Sequence, residues 1–192
     1  MALLTVSEHK VLIGEVGIQD DARFTELIAQ ASNKFEKQVA RKIELQTYAN
    51  DKYDGRGGKR LHLREWPISV VTALTISQSG ATPIVLSPVV DLVIYQDEGY
   101  IEINIDSLIV TIFVKGQQNI DITYDAGFSP VPDDIKYAIS GMVGRMFRRL
   151  DNMQGAYNNK AFQGGSVVFT PNMLDDFWKD TVKTYKRRFS VL

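Results

Sequence analysis

Residues 119–150, NIDITYDAGFSPVPDDIKYAISGMVGRMFRRL, constrain the fold more than any other stretch. Ile120, Ile122 and Tyr124 alternate with Asp121, Thr123 and Asp125, the period of a half-buried strand. Gly127 and Pro130 break that pattern. Pro132 stands at a helix start, where its missing N–H does no harm. Asp133 and Asp134 then complement the positive end of the helix dipole. Ile135, Ala138, Ile139, Met142, Val143, Met146, Phe147 and Leu150 recur at helical spacing. Arg145, Arg148 and Arg149 fill the last turns, the end that favours cations. So wide an apolar stripe must be covered by other helices.

The chain offers candidates on both sides. Residues 5–13 read as a short helix capped by Thr5 or Ser7, with Glu8 completing a capping box to Thr5. Gly14 and Gly17 end it. Asp20 and Asp21 open a longer helix reaching about Ile43. Its apolar face is Phe24, Leu27, Ile28, Ala31, Phe35, Val39 and Ile43, and its opposite face is charged. After residue 150 comes DNMQGAYNNKAFQGGSVVF, expected to be a long loop of a kind that is often functional or mobile. Thr170-Pro171 then provides an N-cap and first-turn pair for a last helix. Leu174, Phe177, Trp178, Thr181, Val182 and Tyr185 form its apolar side.

Between residues 44 and 125 the texture is β. A strand at 44–53 is expected to turn at Asp54-Gly55-Arg56-Gly57-Gly58 and return as a hairpin through 59–65. Further strands are expected at 70–77, 84–86, 89–95, 100–105 and 108–114. None of the intervening segments is long enough for a βαβ crossover, which argues against a doubly wound fold. The expected architecture is therefore α+β. A bundle of three to four helices, from residues 1–43 and 126–192, carries an inserted antiparallel β module at 44–125.

Composition sets limits on function. With 44% hydrophobic residues in 192, the chain can bury a core. A formal net charge of −1 argues against a surface devoted to nucleic acid, though not against a local basic patch. There is no cysteine, so disulfides and thiolate metal sites are excluded. The N-terminus has no basic region before its short apolar run, so no signal peptide is expected. No apolar run approaches the roughly 20 residues needed to cross a bilayer.

No catalytic constellation emerges. Gly55–Lys59 has the look of a phosphate loop but fails as one. The first Gly of that motif falls at Tyr53, and the required Ser or Thr at Arg60. The pairs Asp20-Asp21, Asp133-Asp134 and Asp175-Asp176 sit at helix starts, where capping and dipole complementarity account for them. His9 and His62 lie in different elements without a partnered carboxylate motif. No catalytic, metal or cofactor site is expected, and an enzyme is not.

Two basic ends and two glycines remain. Arg145, Arg148 and Arg149 end one helix; Lys183, Lys186, Arg187 and Arg188 end another, followed by the apolar tip Phe189, Val191 and Leu192. Dipole complementarity and a solvated surface are the simplest account of both. The sharper one is a docking patch for an acidic partner or for phosphates, and the apolar tip favours a pocket on a protein. Gly141 and Gly144 each cost about 1 kcal/mol against Ala inside a helix. They fit close approach by a second helix, from this chain or from a neighbouring subunit.

Three stretches together resemble the head–tail connector, or adaptor, family of long-tailed bacteriophages. They are ASNKFEKQVARKIE; YDGRGGKRLHLREWPISVVTALTI; and VIYQDEGYIEI followed by ITYDAGFSPVPDDIKYAISGMVGRMFRR. The resemblance covers roughly residues 5–150; the β segment 79–120 and the end after 150 are longer than the family pattern. It implies a non-enzymatic virion protein, made in the host cytoplasm and placed in the neck between capsid and tail. There it would form a homo-oligomeric ring, about twelve-fold, beneath the portal protein. The ring would extend the channel for genomic DNA and present a surface to the next neck or tail-completion protein. No membrane and no cofactor are implied. In that setting Lys183, Lys186, Arg187, Arg188, Phe189, Val191 and Leu192 become the expected portal-docking segment, and Gly141, Gly144, Arg145 and Arg148 the expected subunit contact. The alternatives are a DNA-binding module using Arg145, Arg148, Arg149 and the basic tail, or a stopper-like neck protein.

Overall fold

Thr5 starts helix α1 (Val6–Ile13) through the expected capping box. Its Oγ1 accepts from the Glu8 N–H at 3.2 Å, while Glu8 Oε2 accepts from the Thr5 N–H at 2.9 Å. Lys136 also bonds Glu8, at 2.6 Å, and with the Thr5 bonds holds its carboxyl down at about 2. The computed structural model describes residues 2–78, 82–107, 109–151, 159–162, 165–168 and 176–186. Two compact units result: one from 1–43 and 130–192, the other from 44–129.

The first unit is helical. α2 (Asp21–Val39) stops short of Ile43 because Ala40 turns left-handed, at φ 57°, and cannot continue the helix. The apolar face of α2 is buried as read: Phe24, Leu27, Ile28, Ala31, Phe35 and Val39. It packs against Ile135, Ala138, Ile139, Met142 and Val143 of α3 (Asp133–Asp151). The start of α2 meets the end of α3, where the Phe24 and Phe147 rings lie 4.9 Å apart. Each of the larger of these side chains, the Val, Leu, Ile, Met and Phe, contributes about 1.5–3 kcal/mol on burial. α4 (Asp176–Tyr185) is held by Trp178, whose Nε1–H donates to Gln38 Oε1 at 2.7 Å and whose ring meets Phe35 edge-on. Phe177, expected in the core, is half exposed and lies edge-on to Tyr137 at 5.1 Å. The Thr170-Pro171 start and Leu174 lie outside the described residues.

The second unit is antiparallel β. Its strands are β1 (Gln46–Gly55), β2 (Arg60–His62), β3 (Ile68–Ile76), β4 (Ile84–Leu86), β5 (Leu92–Tyr95), β6 (Tyr100–Ile103) and β7 (Gly116–Ala126). They form two sheets, in orders β1-β7-β3-β4 and β2-β6-β5. The alternation read in the opening stretch holds, with Ile120, Ile122, Tyr124 and Ala126 of β7 buried on one face.

Three expectations need correction. The 54–58 turn does not close a hairpin: β1 pairs with β7, while β2 pairs with β6 in the other sheet. Gly57 and Gly58 instead exchange backbone bonds with Phe113, at 2.9 and 2.8 Å. Residues 109–115 are not a strand: they form an irregular plug that buries Phe113 and leaves Ile109 and Ile112 exposed. The expected loop after α3 carries a two-stranded antiparallel ribbon, β8 (Asn159–Phe162) with β9 (Gly165–Val168).

Candidate assembly surfaces

The outward face of α3 is read most directly from its spacing. Tyr137, Gly141, Gly144 and Arg148 fall three or four residues apart and so share one side of the helix. Tyr137 and Gly141 are exposed, and Gly144 half-buried. A methyl group added at either glycine would meet no described atom within 4 Å. No described helix of the same chain therefore presses on them. Arg148 Nε–H donates to the Gly144 carbonyl at 3.2 Å and folds back along its own helix. Arg145 is half-buried and Arg149 exposed.

The α3 stripe outruns its cover. Met146 and Phe147 are half-buried, and Leu150 is 69% exposed. Because α2 begins at Asp21, little of it extends beyond the Phe24–Phe147 contact. The result is a cleft of about 490 Å³ floored by Leu27, Met146, Phe147 and Leu150, with Arg23, Glu26, Gln30 and Arg149 at its rim.

The basic end of α4 is anchored rather than loose. Tyr185 O–H donates to Asp134 Oδ1 at 3.0 Å, tying the last turn of α4 to the start of α3. Burial, then the Asp134 carboxylate, push the Tyr185 hydroxyl up to about 12. Lys183 and Lys186 are exposed beside it. Arg187, Arg188, Phe189, Val191 and Leu192 lie outside the described residues.

The carboxylate pairs and histidines serve the fold. Asp20 accepts from Arg23 at 3.3 Å, Asp21 pairs with Lys10, and Asp176 with Lys179 at 2.9 Å. His9 is buried against Ser140, while His62 lies exposed on β2 beside Tyr100. Sequence reasoning missed two exposed apolar groups. One is Val11, Leu12 and Ile13 at the end of α1, with Val16 and Ile18 just after it; the other is Val89, Val90 and Ile105, on loops of the β unit. The clue to the first was available, since apolar residues fill more than one side of a helix only eight residues long.

No curated protein matches the chain. Solved structures do. A chain in the neck of an empty gene transfer agent particle, computed with C6 symmetry, is 16% identical at a TM-score of 0.58, covering 97% of this chain and 90% of that one. A chain in the virion of a native gene transfer agent particle is 17% identical at 0.52, covering 99% and 92%. One in the neck of the native particle, computed with C12 symmetry, is 15% identical at 0.50, covering 88% and 84%. At these identities the likeness is one of fold. The profile of the head completion protein family matches residues 2–188, nearly the whole length. The chain belongs to the head completion protein family.

Proposed function

We propose that the protein is a structural component of a phage-like virion neck, an adaptor that forms a ring of identical copies between capsid and tail. The family match over residues 2–188 carries this reading. The fold likeness to chains from necks of C6 and C12 symmetry supports the ring. So does the face of α3 at Gly141 and Gly144, where no described atom would meet an added methyl and there is room for a neighbouring subunit, with Arg145 and Arg148 at its border. The ring extends the DNA channel, sits on the portal and offers its far side to the next neck protein. Lys183 and Lys186, with Arg187, Arg188, Phe189, Val191 and Leu192, supply the portal contact. The chemistry is that of packing and docking, not catalysis.

The test is to add the purified protein to portal-bearing, DNA-filled heads and image the vertex by cryo-electron microscopy. The expected result is a ring of density on the portal, absent without the protein. A bare portal beside folded, monodisperse protein would overturn the reading. The tail is tested by deleting 187–192, which spares Tyr185 and its bond to Asp134. Attachment is expected to be lost with the fold intact, and normal attachment would remove the tail from the docking surface.

A further inference from the structure

One buried carboxylate organises two loops of the β unit. Asp91 is 3% exposed. Its Oδ2 accepts from the Ser87 N–H and its Oδ1 from the Ser107 hydroxyl, each at 2.8 Å. Its carbonyl accepts from the Asn104 N–H at 2.8 Å, and Asn104 Nδ2 donates to the Val90 carbonyl at 2.9 Å. A carboxylate buried so deeply is tolerable only when satisfied, and these bonds satisfy it while fastening 87–91 to 104–107. What the fastened loops present is apolar. Val89 is 89% exposed and Ile105 83%, with Val90 also exposed. Beside Ile105 stands the exposed Asp106, whose carboxylate has no partner among the described residues.

The helical unit has the opposite relief. The cleft between α2 and α3 is concave, its floor is Leu27, Met146, Phe147 and Leu150, and Arg149 at its rim is likewise unpartnered among the described residues. The geometry points to a head-to-tail contact between copies of this chain. The Val89–Val90–Ile105 knob of one copy seats in the α2–α3 cleft of the next, with Asp106 against Arg149. This rests on the ring reading above.

Two observations choose another copy as the occupant. First, a closed ring of identical subunits needs two unlike, complementary faces on every copy, and here one is convex and the other concave. Second, Asp106 stands beside the knob and Arg149 at the rim of the cleft, opposite charges that select the partner electrostatically.

The chain has no cysteine, so introduced thiols are the only ones on this protein. The full chain carrying both Ile105→Cys and Leu150→Cys is assembled on portal-bearing heads and oxidised. The expected result on a non-reducing gel is a ladder of covalent multimers beyond the dimer, with each single variant stopping at dimer or monomer. Asp106→Arg is expected to weaken ring occupancy about tenfold, and Arg149→Asp to restore it. Rings that form without a ladder and ignore Asp106→Arg would overturn the contact but keep the ring. A disulfide from the thiol introduced at position 105 to the portal or another neck protein, or only dimers from the double variant, would overturn it too. Failure of the wild-type chain to form any ring on the heads would overturn the ring reading itself.

Discussion

His9 Nδ1 lies 2.9 Å from Ser140 Oγ, joining α1 to α3 across 131 residues of chain. The imidazole is buried, with the Phe24 ring edge-on at 4.9 Å, and its Nε2 has no partner among the described residues. Burial therefore holds its pKa below the usual 6.5. The unfolded chain takes up this proton near 6.5 while the folded one does not, so folding stability is complete above that pH and falls as pH drops below it. Thermal melts at about pH 7.5 and 5.5 should show a larger loss for the wild type than for His9→Gln, which has no such proton to bind. Equal losses would remove His9 from the acid sensitivity of the fold.

Trp178 fastens α4 by its ring on Phe35 and its N–H on Gln38. Trp178→Ala deletes a buried indole and leaves the Gln38 carbonyl oxygen without its donor. The expected loss is about 3–5 kcal/mol, read as a lower midpoint in urea. Because α4 carries Lys183 and leads into Lys186, portal attachment should weaken with it, and Gln38→Ala should show a smaller loss of the same kind.

Gly55 lies where two backbones nearly touch. A Cβ there would sit 1.8 Å from the Val114 carbonyl oxygen and 2.9 Å from its carbon, so residues 109–115 would have to move. Gly55→Ala should cost about 1–3 kcal/mol. Gly58→Ala is the control, since its nearest neighbour would be Arg60 N at 4.0 Å. Urea unfolding of the two variants side by side separates close approach from ordinary turn chemistry; equal midpoints would deny the first.

What could be read beforehand was whatever is local and periodic. The alternation Ile120, Ile122, Tyr124 named the buried face of β7, and Thr5 with Glu8 named the start of α1. The α2 stripe was legible for the same reason. The turn at 54–58 was legible as a turn, but its partners were not: which strand β1 meets depends on residues 116–126, far along the chain. Val89 and Leu150 were hidden for a different reason. An apolar residue does not say whether anything covers it; that depends on where α2 begins and where loop 87–91 is fastened. Gly141 and Gly144 stood out early because glycine inside a helix carries a local cost that calls for a reason.

Those two glycines give the sharpest separation of folding from assembly. A methyl group at Gly141 or Gly144 meets nothing within 4 Å among the described residues, so no strain opposes it. Replacing Gly by Ala in a helix interior stabilises by about 1 kcal/mol. Gly141→Ala and Gly144→Ala should each raise the melting temperature of the isolated protein. If α3 receives a neighbouring subunit on this face, ring formation on portal-bearing heads should weaken in the same variants, and more so for the bulkier Gly141→Leu. Stability and assembly would then move in opposite directions. A glycine kept only by chance would let both rise or leave assembly unchanged, and that outcome would detach this face of α3 from the ring contact.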